Sequence, residues 1–205
     1  MENGIQLIRL SEEHTIAFKE EMQEAFLRGF QTYNKDDSED SNQWPVLPDE
    51  DFYRSLRAEG AEAYEAVDVD GQRMGGAIIT IDNSMHSGEL AFLYVKVGVQ
   101  SKGIGQAIWK GIETLHPEVE VWETCTPYFD RRNIHFYINR CGFHAVEFFN
   151  EHHPDPHMPE QLTEQRGPSS ELERPSRDGR RRSQFNEEDG LFKFEKRMKY
   201  NHQVQ

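Results

Sequence analysis

The 205-residue sequence has few cysteines and no long apolar run, and both absences limit what the protein can be. Cys125 and Cys141 are its only cysteines, too few for a disulfide framework. No stretch approaches the roughly 18 apolar residues that a membrane-spanning helix needs. The apolar segment Ile5–Leu10 is short and interrupted by Gln6 and Arg9, which is unlike a signal peptide. We therefore expect a cytoplasmic protein in a reducing compartment, without a membrane partner.

Basic residues are also scarce. The chain has 23 Lys and Arg against 37 Asp and Glu, a formal net charge of −14. Proteins that bind nucleic acid need clustered Lys and Arg to contact phosphates, so we expect no nucleic-acid partner. The acidic balance is compatible with a cationic partner such as an amine, and equally with a solvated acidic surface.

Strand and helix patterns alternate along the chain, which predicts one α/β domain over residues 1–205. A helix is predicted after the N-cap candidate Ser11 and runs to about Phe30. Further helices are predicted at Asp49–Leu56, from Ile104 to Leu115, and at Arg131–Arg140. The predicted strands are Ile5–Leu10, Ala61–Asp70, Gln72–Asp82, Glu89–Val99, Val119–Trp122, Phe143–Phe149 and Leu191–Lys199.

The clearest chemical signal lies at Val95–Gly105, where an apolar strand leads through a turn with Gly103 and Gly105 into an amphipathic helix. Missing side chains let an anion approach the backbone, and the N–H groups of the first helical turn point at it. Two known phosphate loops do not fit. Ile108 stands where a dinucleotide fingerprint needs its third glycine, and Ile104 stands where a P-loop needs lysine. An ordinary Gly-rich turn remains the alternative for this segment alone.

Two motifs resemble the GNAT superfamily of acyltransferases. The run Gln100-Ser101-Lys102-Gly103-Ile104-Gly105 is similar to its acyl-CoA pyrophosphate signature. About thirty residues later, Asn133-Ile134-His135-Phe136-Tyr137 followed by Cys141-Gly142-Phe143 resembles the family's Asn, Tyr and Gly-Phe pattern. The resemblance covers roughly Ile5–Asn150 and the last strand, and the intervening segment departs from it.

The resemblance implies a GNAT fold, with a mixed central sheet in which two neighbouring parallel strands splay apart and helices flank the sheet. Here these strands would be Glu89–Val99 and Val119–Trp122. Acetyl-CoA would be the co-substrate, with its pantetheine arm in the gap and its thioester near Thr124–Thr126. The residues implied in binding it are Val95, Lys96, Val97, Gln100, Ser101, Lys102, Gly103, Ile104, Gly105, Gln106 and Asn133.

The family chemistry is direct attack of a neutral amine on the thioester. A base must first take a proton from an ammonium group whose pKa is roughly 10, and Glu89 is our candidate. A solvated glutamate at a strand start, with a proton relay through water, is the alternative. Tyr137 matches the family's proton donor to the departing thiolate, and a backbone N–H near Val95 is a candidate oxyanion donor.

Several other residues could suggest chemistry but have simpler explanations. Cys125 could support an acyl-cysteine intermediate, although a free cysteine at a strand end is more often a small buried hydrophobe. The histidines His152, His153 and His157 could bind a metal, but their Pro-rich setting favours an adventitious site, and we predict no metal. Residues of the expected acceptor region, for which core packing is the alternative, are Trp44, Phe52 and Tyr53.

Acidic residues also gather in that expected acceptor region, which suggests a cationic acceptor. They are Asp36, Asp37, Glu39, Asp40, Asp49, Glu50 and Asp51. The segment Glu151–Gly190 differs in composition from the rest of the chain. It contains five of the nine prolines and six arginines but few large apolar residues, which predicts a mobile insertion before the last strand.

The sequence therefore predicts an N-acetyltransferase that moves an acetyl group from acetyl-CoA to a primary amine, on a small molecule or a peptide. A non-catalytic acyl-CoA-binding sensor or regulatory module is the alternative. A homodimer is compatible with either hypothesis.

Overall fold

The computed structural model describes residues 4–33, 47–99, 103–150, 152–154 and 190–198. Its helices are α1 (Thr15–Tyr33), α2 (Asp49–Leu56), α3 (Ile104–Leu115) and α4 (Arg131–Phe136), and α4 continues into a π-helical turn, Tyr137–Cys141. Its strands are β1 (Gln6–Arg9), β2 (Ala61–Val67), β3 (Arg73–Asp82), β4 (Ser87–Val95), β5 (Val121–Pro127), β6 (His144–Phe149) and β7 (Leu191–Arg197).

These strands form one mixed sheet in the order β1-β2-β3-β4-β5-β7-β6. Every neighbouring pair is antiparallel except β4 and β5, which run parallel. The helix α3 connects β4 to β5, because parallel neighbours need a crossover connection. The fold class predicted from the resemblance, a mixed sheet flanked by helices, is confirmed.

Two apolar cores lie on the two faces of the sheet. On one face, the α3 face, Ile108 and Trp109 of α3 pack with Trp122 of β5, Tyr137 of the π turn and Phe194 of β7. The helix α3 turns one apolar stripe to this core, since its fully buried isoleucines Ile108 and Ile112 are four residues apart.

On the other face, the α1 face, Phe18 and Met22 of α1 and Phe52 of α2 pack on Ile78 of β3 and Tyr94 of β4. Among the described residues, this second core contains no residue of β5, β6 or β7. Among the described residues, the α1-face core therefore extends across the sheet only as far as β4.

Element bounds differ from the prediction at β4 and β5. The strand β4 ends at Val95, not Val99, because the chain turns at Lys96. The strand β5 begins at Val121 and continues through Pro127, well beyond the predicted end at Trp122. The missed half of β5 alternates buried Thr124 and Thr126 with exposed Cys125, so it lacks the apolar pattern that marks a strand.

The predicted insertion can be followed only at its ends. His152 and His153 form a turn closed by backbone hydrogen bonds between Asn150 and His153, and Gly190 precedes β7. The residues between Pro154 and Gly190 lie outside the described part of the chain. The strands on either side, β6 and β7, pair with each other as neighbours. None of the described helices is long and apolar enough to cross a membrane.

Candidate active site

The parallel strands β4 and β5 pair over only three positions and then part. Ser87 pairs with Val121, Gly88 with Trp122 and Glu89 with Glu123. Beyond that pair, β4 continues to Val95 along β3 and β5 continues to Pro127 along β7. The two strands of the predicted splay therefore enclose a gap that opens toward their carboxyl ends, and we call its closed end the apex.

The apex is closed by a hydrogen bond between a side chain and the backbone. The buried Thr124 hydroxyl donates to the carbonyl of Leu90 at 2.9 Å, immediately after the last strand pair. Since Thr124 is on β5 and Leu90 on β4, this bond fixes the point at which the strands separate. A threonine at a strand end carries no signal in the sequence, and Thr124 was predicted only as a residue near the thioester.

Beyond the apex, a β-bulge changes the direction of β4. Ile79 pairs with Leu90 and Ile78 with Phe92, so Ala91 is the extra residue. The Lys96 N–H, just after β4, donates to Met74 at 2.9 Å, on the β3 side. Backbone groups alternate between the two sides of a strand, so the N–H of Val95 points into the gap. This direction fits the predicted oxyanion donor and cofactor contact at Val95.

The turn after β4 is built around glycine. Gly103 is in the left-handed region, at φ 75°, as the N-cap of α3. The first hydrogen bond of this helix runs from the Ala107 N–H to the Gly103 carbonyl, so the N–H groups of Ile104, Gly105 and Gln106 precede it. A Cβ at Gly105 would meet Phe136 of α4 at 3.2 Å and Val95 of β4 at 3.4 Å.

The predicted strand–glycine–helix arrangement is thus present, with three backbone N–H groups ahead of the first hydrogen bond of α3. An anion such as a pyrophosphate fits this geometry. The predicted contact residues Gln100, Ser101 and Lys102 lie outside the described residues.

Three further residues predicted to contact the cofactor use their side chains elsewhere. Lys96 forms an ion pair with Glu21 of α1 at 2.8 Å, which leaves its backbone as the group near the gap. The amide of Gln106 donates to the Arg140 carbonyl at 2.9 Å. Asn133 donates from its amide to Asp130 at 2.7 Å, so its amide oxygen is the atom that could still reach a ligand.

Asn133 lies in the first turn of its helix, which starts at Arg131 as predicted. The helix α4 begins at Arg131, and Asp130 is its N-cap, accepting from the Asn133 N–H at 2.9 Å. Burial raises the pKa of Asp130, and hydrogen bonding to the Asn133 N–H opposes that rise. Aspartate before a helical pattern is a standard N-cap signal, so this residue could have been recognised in the sequence.

Tyr137 lies in the α3-face core, and its side chain reaches the apex. It begins the π turn, where the N–H of Gly142 bonds back to the Tyr137 carbonyl, and its ring packs against Phe143 and Phe194. Burial raises the pKa of Tyr137 well above its usual range, and a hydrogen bond with Thr124 opposes the rise. The hydroxyl is therefore protonated at neutral pH, which a proton donor requires.

Glu89 lies on the opposite side of the sheet from Tyr137. Trp122, the partner of Gly88, is fully buried in the α3-face core. Side chains alternate along a strand, so the next residue, Glu89, projects from the α1 face. It is exposed. The predicted base and the predicted acid therefore flank the apex from opposite faces.

Cys125 corrects one expectation. It is exposed rather than buried, because it projects from β5 on the α1 face, where the described structure has no covering helix. On the adjacent strand β7, Lys193 is the register partner of Cys125. Within the described residues, no three His, Cys, Asp or Glu side chains come together in a way that could hold a metal ion; His157 lies outside them.

Of the aromatic residues predicted near the acceptor, Phe52 is fully buried and Tyr53 packs against it, which supports the core-packing alternative; Trp44 is not described. The C-terminal half of α1 supplies aromatic residues instead. Phe26 contacts Phe92 of β4, with ring centroids 6.0 Å apart, and Phe30 contacts Phe129 after β5, at 5.8 Å. These contacts place α1 across the opening.

The described acidic residues of that region are engaged locally. Asp49 contacts Lys19 at 2.5 Å and Gln23 at 2.8 Å, and Asp51 pairs with Arg54 at 2.6 Å. Glu50 is 3.9 Å from the same arginine. The other four, Asp36, Asp37, Glu39 and Asp40, lie outside the described residues.

Comparisons with known proteins agree with this geometry. The family model for the GNAT acetyltransferases matches residues 19–143, so the chain belongs to the GNAT acetyltransferase family, whose members are acyl-CoA-dependent transferases. An uncharacterized Bacillus subtilis protein, YrkN, is 44% identical over 142 residues, which are 69% of this chain and 74% of that protein.

Solved structures match over nearly the whole chain. The PaiA N-acetyltransferase of Thermoplasma acidophilum, in complex with coenzyme A, has a TM-score of 0.58 at 18% identity and covers 95% of this chain and 99% of its own. A Vibrio cholerae spermidine N-acetyltransferase with CoA and spermine has a TM-score of 0.57 at 11% identity, covering 95% of each chain. At these identities the similarity shows the fold.

Proposed function

We propose that the protein is an N-acetyltransferase that transfers an acetyl group from acetyl-CoA to a primary amine by direct attack. The observation that carries this proposal is the apex, where Glu89 and Tyr137 lie on opposite faces of the sheet beside an opening between parallel strands. An amine arriving on the α1 face can lose its proton to Glu89 while the thiolate departs on the α3 face beside Tyr137.

Each residue has a distinct part in this mechanism. The N–H groups at the start of α3 and the left-handed Gly103 receive the pyrophosphate of acetyl-CoA. The N–H of Val95 stabilises the oxyanion that forms when the amine adds to the thioester carbonyl. Glu89 accepts the proton of the ammonium group, and Tyr137 donates to the sulfur as the carbon–sulfur bond breaks. Coenzyme A and the acetylated amine leave.

The spermidine acetyltransferase among the matching structures supports an amine acceptor without identifying one for this chain. The test is release of free thiol from acetyl-CoA across a panel of amines and Lys-containing peptides, alongside calorimetric titration with acetyl-CoA. Binding with amine-dependent thiol release is expected. Tight binding with no release from any acceptor would favour the non-catalytic acyl-CoA sensor, and absence of binding would contradict both functions.

A further inference from the structure

The residues on either side of Val95 are bound to one carboxylate of α1. Tyr94 and Lys96 flank Val95, and side chains alternate along an extended chain, so both side chains leave the sheet on the same face, the α1 face. The Tyr94 hydroxyl donates to Oε2 of Glu21 at 3.2 Å, and the Lys96 ammonium group donates to Oε1 at 2.8 Å. A single side chain of α1 therefore holds both neighbours of Val95.

Glu21 is itself held in place by a further cation. Its Oε2 lies 3.4 Å from a guanidinium nitrogen of Arg73, at the start of β3. Arg73 also contacts the buried carboxylate of Glu65 on β2 at 2.8 Å. The Glu21 side chain is only 20% exposed, so its hydrogen bonds to charged partners are partly shielded from water and are of the strong, charge-assisted kind. The Glu21 carboxylate is thus bound by three side chains of β3, β4 and the residue after β4.

Packing on both faces of the sheet adds to this hold on Val95. Tyr94 is fully buried, and the ring of Phe18, one turn before Glu21 on α1, meets the Tyr94 ring edge-on with centroids 5.1 Å apart. Burial raises the pKa of Tyr94 above its usual range, so the hydroxyl keeps the proton that it donates to Glu21. The side chain of Val95 packs against the core on the α3 face. The chain at Val95 is therefore held from both faces.

The group that these contacts place is the Val95 N–H, which points into the gap. Strand pairing holds Val95 only from the β3 side, since β5 pairs with β4 no further than Glu89. An oxyanion donor must already be in position, about 2.7–3.1 Å from the developing charge. We propose that Glu21 is a positioning residue, which holds the Val95 N–H in place for the oxyanion by binding the residues on both sides of it. This inference rests on the proposed function, and Glu21 belongs to neither sequence motif.

Glu21 makes and breaks no bond in the reaction. When the amine nitrogen adds to the thioester carbonyl, negative charge develops on the carbonyl oxygen and is stabilised by the Val95 N–H. The charge leaves that oxygen again as the carbon–sulfur bond breaks and the thiolate departs. An interaction made mainly in the transition state affects kcat rather than substrate binding. Loss of Glu21 should therefore lower kcat with little change in the acceptor KM or in the Kd for acetyl-CoA.

Glu65→Gln is the matched control. Glu65 gives its carboxylate to the same Arg73, but it lies on β2, two strands away from β4. Its side chain is 3% exposed, so it is more deeply buried than Glu21. The substitution should therefore cost at least as much stability as a change at Glu21, while both neighbours of Val95 stay bound. A purely structural role of the ion pairs predicts the same kinetics for changes at Glu65 and at Glu21.

The kinetic test uses the full-length protein and the most active amine of the acceptor panel. Loss of one oxyanion donor costs about 10²- to 10³-fold in kcat, and a displaced donor costs less, so we expect Glu21→Ala to lower kcat about 10- to 100-fold. Lys96→Met frees only one neighbour of Val95 and should give a smaller loss of the same kind, which keeps the test open if Glu21→Ala does not fold. Glu65→Gln should keep the wild-type kcat. Equal losses in Glu65→Gln, or losses confined to KM, would overturn the proposal.

The Val95 amide can also be observed directly, without an acceptor. Tyr94-Val95 is the only Tyr-Val pair in the sequence, so labelling tyrosine carbonyls with carbon-13 and valine with nitrogen-15 isolates one amide signal in NMR spectra. Acetyl-CoA should move this amide proton downfield relative to CoA, which lacks the acetyl group.

We expect that downfield shift in the wild-type protein and in Glu65→Gln, and a clearly smaller one in Glu21→Ala or Lys96→Met. An equal shift in wild type and Glu21→Ala, or no shift in wild type, would overturn the positioning role even if an amine is acetylated. The expected shifts without turnover of any amine would support the positioning of Val95 by Glu21 and contradict the proposed function alone.

Discussion

Replacing Glu89 by Gln tests the predicted base with little change of shape. The variant loses the carboxylate that would accept the ammonium proton, so kcat/KM at neutral pH should fall by about 10²- to 10⁴-fold. The loss should shrink at high pH, where the amine is already neutral. Steady-state rates from pH 6 to 10 are the measurement. Near-normal turnover of Glu89→Gln at pH 7 would assign the proton transfer to water or to another residue.

Tyr137→Phe should differ from Glu89→Gln in its pH profile. Burial keeps the pKa of Tyr137 above its usual range, and the acid form of a group with a raised pKa persists to higher pH. The wild-type rate should therefore not decline up to about pH 10. Tyr137→Phe should lower kcat at every pH, with the Kd for acetyl-CoA little changed, since a neutral amine cannot assist the leaving thiolate. Recovery of this variant at high pH would contradict the assignment.

Single residues show which site features a sequence can predict. Gly103 was recognised because a phosphate-binding turn favours a residue without a side chain. Its φ of 75° is in the left-handed region, which glycine adopts readily. The exposure of Cys125 was missed because it depends on which strands α1 covers, not on the residues next to Cys125.

At the element scale, the turn between β4 and α3 can be tested by substitution. Gly103→Val forces a β-branched residue into a left-handed conformation and places a side chain where the pyrophosphate is expected. We expect the Kd for acetyl-CoA to rise at least about tenfold, equivalent to about 1.4 kcal/mol. Calorimetry on the folded variant is the measurement.

Gly71→Val is the control for that substitution. Gly71 has a similar φ of 77° in the turn between β2 and β3, and a Cβ there meets nothing within 4 Å. This variant should lose comparable stability while keeping its affinity for acetyl-CoA. A Gly103→Val protein that binds as tightly as Gly71→Val would contradict the phosphate-loop assignment.

Helices and strands were predictable where a regular spacing of apolar residues lies within the element itself. The stripe of Ile104, Ile108 and Ile112 identified α3, because one helical face supplies its buried side. The second half of β5 was not recognised, since Thr124 and Thr126 are buried polar residues. The three-residue pairing of β4 with β5 is set by tertiary contacts such as the Thr124 bond to Leu90, which leave no periodic signal.

At the scale of the whole molecule, the two faces of the sheet have different roles in the proposed mechanism. The α3 face carries the glycine turn and Tyr137, and its core is continuous from β2 to β7. On the α1 face, the described core reaches only as far as β4, and Glu89 at the apex is exposed. The proposed mechanism therefore has acetyl-CoA at the glycine turn and the amine on the α1 face, so that both are bound at once, as direct transfer requires.

The segment between Pro154 and Gly190 offers a last test at this scale. Phe149 pairs with Leu191 at the end of the β6–β7 ladder, and the Tyr128 N–H bonds to the Gly190 carbonyl at 2.8 Å. The chain therefore leaves and re-enters the fold at neighbouring points. Replacing residues 156–188 with a Gly-rich linker of about six residues shortens the loop roughly fourfold, which should stabilise the fold by about 1 kcal/mol.

We expect the shortened protein to unfold in one cooperative transition and to bind acetyl-CoA with unchanged Kd, because every described contact of the glycine turn lies outside the deletion. Urea denaturation and calorimetry are the measurements, with a linker of the original length and Gly-rich composition as the control for composition. Loss of cooperative unfolding in both variants would show that the segment packs on the core and contradict the predicted insertion. Intact folding with a raised acceptor KM in both would instead place part of the acceptor site within residues 156–188.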